Sequence, residues 1–295
     1  MTLAVPGGRY AEITHRSRID TSHYPLGSSH DTRYQKSLTV TRTQLERDGC
    51  AVIPDFLSPL GLSWLLTEAE ERRKSAYFSA ITKTNVYFSA DDASLAEDHP
   101  QRIFLERTNG FITSDCYDDS SASRVLYNWQ ALINFIQDCL GKDQLYIYED
   151  PVSDMIVNVL KPGSQFNWHF DTNEFTITML LKSAVSGGHF EYVPNLRNAN
   201  DECYDEVRAV LSGDTQRVAC LPLSPGDLQL FLGRFSLHRV TKNTGLSDRL
   251  LLIMSFAEKP GIIGSVERNR ELYGKVTEKH LEAQTQRVRA DGLMD

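Results

Sequence analysis

The stretch "FNWHFDTNEFTITMLL", residues 166–181, places two polar side chains inside an otherwise apolar strand pattern. Side chains alternate along a strand, so His169 and Asp171 point to one face while Trp168 and Phe170 point to the other. A carboxylate in an apolar strand is costly unless it meets a cation or a metal ion. The spacing therefore predicts part of a charged site on a buried strand face.

A third candidate ligand follows later in the chain. His238 lies in "FSLHRV", which has the pattern of another strand. Two imidazoles and one carboxylate converging from two strands form the facial triad of non-heme Fe(II) sites, which leaves adjacent coordination positions open. The same three residue types also occur by chance in unrelated chains, so the surrounding sequence has to decide.

Arg249 supplies the next indication, because it begins the apolar strand "RLLLIMSF". A guanidinium that enters a core needs an acidic partner able to accept two hydrogen bonds. The far carboxylate of 2-oxoglutarate would serve. The pieces also occur in the order that an iron enzyme using this cosubstrate needs.

Composition excludes several classes of partner. The net charge of −8 and the pI near 5.5 argue against a nucleic-acid or anionic-membrane surface, since both favour basic patches. No apolar run approaches the roughly 18 residues of a membrane span, and the start of the sequence lacks the pattern of a signal peptide. The five cysteines are widely spaced and never form C-x-x-C, which indicates reduced thiols in a cytoplasmic protein.

The chain divides into a polar arm and one domain. Residues 1–38 are polar and turn-rich, and residues 39–295 carry helical patterns, then many short strand patterns, then a closing helix. We expect a β-core at about 145–258 and a terminal helix at about 265–288. This layout predicts an α+β fold with a jelly-roll-like core.

The quoted motifs carry a resemblance to a known superfamily. The series "KPGSQFNWHFD", "TITMLL", "GGHFEYVP", "PGDLQLFLGRFSLHRVT" and "DRLLLIMSF" resembles the Fe(II)/2-oxoglutarate-dependent dioxygenases, and most closely their free-amino-acid hydroxylase and halogenase branch (HalD- and BesD-like). The resemblance covers roughly residues 40–295. It implies a double-stranded β-helix, the cofactors Fe(II), 2-oxoglutarate and O₂, and oxidation of an unactivated C–H bond in a free amino acid or small derivative.

The resemblance also implies roles for particular residues. His169, Asp171 and His238 match the catalytic metal ligands, and Arg249 matches the residue that binds 2-oxoglutarate. The match has departures, since many relatives carry Ser two residues after that arginine and Tyr before the "x-P-G" turn, where this chain has Leu251 and Leu160. Asn158 lies on the same face as Leu160 and could supply the missing hydrogen bond, or it could be purely structural.

The residue at position 171 separates two chemistries within this branch. Halogenases of the group carry Gly or Ala there, which frees a coordination position for chloride. Asp171 fills that position, so the resemblance implies hydroxylation. Desaturation or cyclisation, including aziridine formation, stays open as an outcome of the same chemistry. A non-catalytic ligand-binding barrel and a metal enzyme without 2-oxoglutarate are the competing hypotheses, and the latter would not need Arg249.

Five further residues are candidates for binding the small-molecule substrate. Glu191 could hold an ammonium group and Arg197 a carboxylate, although a solvated strand face and a surface salt bridge are the alternatives. Arg102 and Arg107, in "QRIFLERTN", could line the pocket, with surface placement as the alternative. Asn173 could lie at the mouth of the site.

Overall fold

The computed structural model describes residues 18–284 and 293–294. The helices are α1 (Thr32–Asp48), α2 (Pro59–Arg72), α3 (Ala122–Tyr127), α4 (Gln130–Leu140), α5 (Tyr204–Leu211), α6 (Val266–Tyr273) and α7 (Glu278–Ala283). The strands of the first half are β1 (Cys50–Ile53), β2 (Tyr77–Phe78), β3 (Lys83–Thr84), β4 (Leu105–Glu106), β5 (Gly110–Ile112), β6 (Tyr146–Ile147) and β7 (Met155–Leu160). Those of the second half are β8 (Phe166–His169), β9 (Thr176–Lys182), β10 (Phe190–Val193), β11 (Ala219–Leu221), β12 (Leu228–Phe231), β13 (Leu237–Val240) and β14 (Arg249–Ala257).

Two antiparallel sheets face each other. The larger sheet has the order β1-β12-β9-β14-β7-β5-β2, with β6 paired to β14, and the smaller has the order β11-β10-β13-β8. Residues of both sheets, including His238 of β13 and Leu251 of β14, line one cavity between them. This arrangement confirms the double-stranded β-helix and the α+β class that the sequence predicted.

Alternation along β14 shows how the larger sheet separates its two faces. The side chains on one face belong to the main hydrophobic core: Leu250, Leu252, Met254 and Phe256. Arg249, Leu251 and Ile253 point to the opposite face, which borders the space between the sheets. Helices α1, α2 and α4 cover the apolar face, because Leu45, Leu65 and other buried residues of these helices join the same core.

The predicted arm and β-core needed correction at their boundaries. Helix α1 begins at Thr32, so the arm predicted for residues 1–38 was wrong in its last part; residues 1–17 lie outside the described residues. Asp31 caps this helix, and Tyr34 and Leu38 are buried against the domain. Strands β1, β2 and β5 also join the larger sheet, which extends well beyond the predicted core at 145–258.

The predicted terminal helix at 265–288 was also wrong, since two short helices occupy this segment. Helix α6 ends at Tyr273 and is capped by Gly274, whose φ of 67° is the left-handed conformation that glycine adopts readily, and α7 starts at Glu278. Residues 285–288 lie outside the described residues. Among the described helices, none combines the length and apolarity that crossing a bilayer requires.

A buried carboxylate fastens this terminal segment to the β-core. The Oδ2 atom of Asp150 accepts hydrogen bonds from the Gly264 amide (2.9 Å), the Asn269 side chain (3.1 Å) and the His280 ring (2.9 Å). Its Oδ1 atom accepts two backbone N–H bonds, from Val152 and Ser153. Asp150 and His280 are both fully buried, so each depends on the other for hydrogen bonding.

We expect Asp150→Ala to lower the free energy of unfolding by about 3 kcal/mol, because it leaves several buried donors without an acceptor. Urea unfolding followed by circular dichroism measures the change. Asp143→Ala, at an exposed position nearby, should leave the unfolding midpoint unchanged. Equal midpoints for the two variants would contradict this role for Asp150.

Candidate active site

Pairing between β13 and β8 brings two imidazoles side by side. His238 lies directly opposite His169 in the register of these strands, and their ring centroids are 4.1 Å apart. The Asp171 Oδ1 atom lies 3.5 Å from the His238 Nε2 atom and 4.0 Å from the His169 Nε2 atom. One ligand atom from each residue lies within 4.8 Å of the others, so a single metal ion can contact all three.

Backbone carbonyls set which nitrogen of each ring is available. The His169 Nδ1 atom lies 2.7 Å from the Asn167 carbonyl oxygen, and the His238 Nδ1 atom lies 3.0 Å from the Ser236 carbonyl oxygen. A carbonyl can only accept, so Nδ1 is the protonated nitrogen in both rings. The Nε2 lone pairs therefore face Asp171, and the rings have the orientation of metal ligands.

Asp171 is held from three sides. Its amide donates to the Gly233 carbonyl (3.1 Å), and its Oδ2 atom accepts a 2.6 Å hydrogen bond from the Thr176 hydroxyl. Gly233 itself packs against the carboxylate: a Cβ at this position would overlap the carboxylate oxygen and lie 2.9 Å from the Asp171 Cβ. Oδ1 is thus left to face the two histidines.

The charge states suit metal binding. Burial lowers the pKa of His169 well below its usual value, so the ring is neutral and can act as a ligand. Burial alone would raise the pKa of Asp171, but the neighbouring rings of His238 and His169 and the hydrogen bond from the Thr176 hydroxyl outweigh it. The pKa of Asp171 is therefore held below its usual range, and the carboxylate is ionised.

Aromatic rings enclose the two histidines. Phe166 stacks on His169 with a centroid separation of 3.8 Å, and Phe231 meets His238 edge to face at 4.7 Å. Both phenylalanines line the cavity with the three candidate ligands. These rings restrict how each imidazole can turn and limit access of water to this side of the site.

Arg249 is a buried cation without an acidic partner. Its side chain is only 3% exposed, its Nη1 atom has no hydrogen-bond partner, and no carboxylate in the described part of the chain pairs with it. Burial lowers the pKa of this guanidinium to about 10, so it keeps its charge at neutral pH. Gly188 leaves room for it, because a Cβ there would lie 3.2 Å from the Arg249 Cδ.

Asn158 is a second buried polar residue without hydrogen-bond partners. It is 2% exposed, and neither its Oδ1 nor its Nδ2 atom has a partner. It lies opposite Leu251 in the β7–β14 register and lines the same cavity as the histidines. Buried amides are nearly always satisfied, so an orphaned amide facing this cavity indicates a polar ligand.

These features fit the groups that the sequence implied. The triad would hold Fe(II), whose preferred protein ligands at such open sites are two imidazoles and one carboxylate. Arg249 would bind the far carboxylate of 2-oxoglutarate, and Asn158 would donate to the same cosubstrate. Each residue then gains the partner that it lacks in the protein alone.

The structure does not bring Glu191 or Arg197 to this cavity. Glu191 pairs across the strands with Arg239, on the sheet face opposite His238, and their side chains form a 2.7 Å ion pair. Arg197 is buried behind that sheet, where it binds Glu202 at 2.8 Å and stacks over Phe170 at 4.0 Å. Alternation along β10 explains the first placement. Neither residue is retained as a substrate-binding candidate.

The other three candidates differ in their placement. Arg102 binds Asp91 (3.1 Å) away from the cavity, so it is not retained. Arg107 is 1% exposed, donates to the Ile81 carbonyl, and has two nitrogen atoms, Nε and Nη1, without partners. Asn173 lines a second cavity that adjoins the first at Asp171.

Three residues near Asp171 were not predicted from the sequence, namely Arg268, Thr176 and Gly233. Arg268, on helix α6, lines the second cavity together with Asp171 and Asn173. Nothing in the sequence near Arg268 marks it as a site residue, because its helix is distant along the chain from the triad. Thr176 and Gly233 had a weak signal, since both lie close in sequence to metal-ligand strands.

A family comparison agrees with these observations. The sequence model of a family described as "Halogenase D" matches residues 110–272, which is more than half of the chain and includes the triad and Arg249. No curated protein sequence matches the chain.

Solved structures show a similar fold at low sequence identity. The epimerase SnoN of nogalamycin biosynthesis, described as α-ketoglutarate dependent, has a TM-score of 0.51 and 14% identity over 76% of this chain and 81% of its own. The carbocyclase SnoK of the same biosynthesis has a TM-score of 0.51 and 15% identity over 73% and 82%. AviO1 from Streptomyces viridochromogenes has a TM-score of 0.51 and 18% identity over 75% and 95%.

Gly233→Ala should weaken metal binding by about 10- to 100-fold, because the added methyl group displaces the Asp171 carboxylate. Equilibrium dialysis with Mn(II) measures the affinity without any turnover. Thr176→Val, which removes only the hydrogen bond to Oδ2, should have a smaller effect in the same direction. Unaltered Mn(II) affinity in a folded Gly233→Ala protein would show that Asp171 is not a ligand.

Proposed function

The chain belongs to the halogenase D family and is a 2-oxoglutarate-dependent non-heme iron oxygenase, and on that premise we propose that it hydroxylates an unactivated carbon of a free amino acid or a small amino-acid derivative. One observation supports it most strongly. His169, Asp171 and His238 converge on a cavity that is also lined by Asn158, a buried residue whose amide has no hydrogen-bond partner.

Each residue has a definite task in this reaction. His169 and His238 would bind the metal through Nε2, because their Nδ1 atoms are engaged by backbone carbonyls. Asp171 completes the ligand set, and Arg249 and Asn158 fix the cosubstrate relative to it. When bound, Fe(II), 2-oxoglutarate and O₂ supply an oxidant that can cleave an unactivated C–H bond, with release of succinate and CO₂.

The shape of the cavity favours a small substrate. The space that adjoins Asp171 on the side of Asn173 has a volume of about 100 Å³. Its lining combines apolar side chains, such as Ile156 and Leu272, with polar and charged ones, such as Asn173 and Arg268. A compact aliphatic molecule with a charged end is compatible with such a lining.

Asp171 supports hydroxylation over halogenation. Its carboxylate is ionised and directed at both histidine Nε2 atoms, and Thr176 and Gly233 hold it there. A carboxylate held in this way would occupy the coordination position that chloride would need. Halogenation would require Asp171 to leave the metal, against the packing of Gly233.

The proposal is tested by succinate release in air with Fe(II), 2-oxoglutarate and a panel of amino acids, with mass spectrometry of the products. We expect iron-dependent succinate formation and a product that has gained one oxygen atom, with chloride present or absent. Loss of two hydrogen atoms would show desaturation or cyclisation instead. A chlorinated product would overturn the role of Asp171, and no turnover with any cosubstrate would favour a binding protein.

We expect Arg249→Gln to weaken 2-oxoglutarate binding by about 100-fold, because it removes charged hydrogen bonds to the far carboxylate. Calorimetric titration of the Mn(II)-loaded protein with 2-oxoglutarate measures this without turnover. Arg239→Gln is the matched control, since Arg239 pairs with Glu191 on the opposite sheet face. Similar affinities for both variants would favour an enzyme that does not use 2-oxoglutarate.

A further inference from the structure

We propose that Arg268 binds a carboxylate of the substrate and thereby makes the enzyme selective for free acids over the corresponding esters and amines. The inference rests on the proposed function, because it concerns the substrate of the same cavity. It extends that function by assigning a residue of the terminal segment to substrate recognition. No motif in the sequence had indicated this residue.

Arg268 is anchored beside the candidate metal site. Its Nη2 atom donates to the carbonyl of Phe170, the residue directly before Asp171, at 3.3 Å. Its guanidinium also lies over the Phe88 ring, 4.5 Å from the centroid. These two contacts hold one edge and one face of the group, and the side chain lines the cavity that Asp171 borders.

Two carboxylates, Asp171 and Glu271, lie near Arg268, but neither forms a salt bridge with it. In the part of the chain that the structure describes, no carboxylate forms an ion pair with this guanidinium. The acid one turn further on its helix, Glu271, instead lies 4.0 Å from Arg107. Glu271 therefore interacts with Arg107, and the described hydrogen bond of Arg268 uses only its Nη2 atom, so its remaining N–H groups can bind an anionic group.

A second donor faces the same space. The Thr172 hydroxyl belongs to the cavity lining, is buried, and has no hydrogen-bond partner. A guanidinium and a hydroxyl lining one small cavity can bind the two oxygens of a carboxylate. This pair of groups distinguishes a carboxylate from an ester or an amine, neither of which can accept both bonds with a negative charge.

Part of the remaining cavity lining is apolar. Phe111, Ile156, Phe166, Ile253 and Leu272 belong to it, beside polar residues such as Asn173 and Ser255. A substrate held by its carboxylate at Arg268 would place an aliphatic carbon chain along the apolar residues. The class that fits is therefore a small aliphatic carboxylic acid, of which an amino acid is one form.

The test compares Arg268→Gln with Arg270→Gln, an exposed arginine on the same helix. Each protein is loaded with Mn(II) and 2-oxoglutarate, and binding is measured by calorimetry. The ligands are the amino acids, small aliphatic acids without an amino group, and the methyl esters and decarboxylated amines of both. Dissociation constants for 2-oxoglutarate are measured in parallel.

For the wild type and Arg270→Gln, we expect free acids to bind at least about tenfold more tightly than their esters or amines. Arg268→Gln should lose about 10- to 100-fold in affinity for the free acids and should no longer discriminate, with unchanged affinity for 2-oxoglutarate. Arg268→Lys should recover part of the discrimination, because it keeps the charge without the two parallel donors.

The outcomes separate this inference from the proposed function. Binding of aliphatic acids but of no amino acid would support Arg268 as a carboxylate receptor and overturn the amino-acid substrate. Binding of amino acids with equal strength in the wild type and Arg268→Gln would overturn the role of Arg268 and leave the proposed function standing. Absence of binding by every free acid in the panel would overturn the inference.

Discussion

The antiparallel register of β13 on β8 is the constraint on which the site depends. It places His238 directly opposite His169, so that two rings from distant parts of the chain reach one ion. A shift of one residue in this register would turn His238 to the other sheet face and separate the ligands. This pairing is also needed for the packing of Phe166 and Phe231 against the rings and for the contacts of the two Nδ1 atoms with backbone carbonyls.

Unpaired polar groups determine which kinds of ligand the cavity can bind. Arg249, Asn158 and Thr172 are buried groups that lack partners, although buried polar atoms are ordinarily satisfied. The domain bears their cost because its stability comes from elsewhere, chiefly from the apolar layer between the larger sheet and helices α1, α2 and α4. The face of the larger sheet that lines the barrel interior can therefore hold charged groups, because the opposite face packs into the hydrophobic core.

The comparison of Glu191 with Arg249 shows where strand patterns are reliable. Both are charged residues in apolar strands, but the neighbours of Glu191 leave its face undetermined, and pairing with Arg239 turns it away from the cavity. Arg249 has no such partner, because the residue opposite it on β7 is Leu160. A charge in a strand marks a site only where the pairing strands offer no counter-charge, and pairing is a tertiary property.

The sequence by itself determined the three ligand candidates, the candidate Arg249 and the fold class, since strand alternation, residue chemistry and the family motifs involve only a few neighbouring positions each. It also placed Asn158 on the correct strand face. Only the tertiary structure decided that Gly233 packs on Asp171, that strands β1, β2 and β5 extend the larger sheet, and that Arg268 borders the cavity. These contacts join segments far apart in the chain, and their partners depend on sheet register and helix docking, which no local pattern specifies.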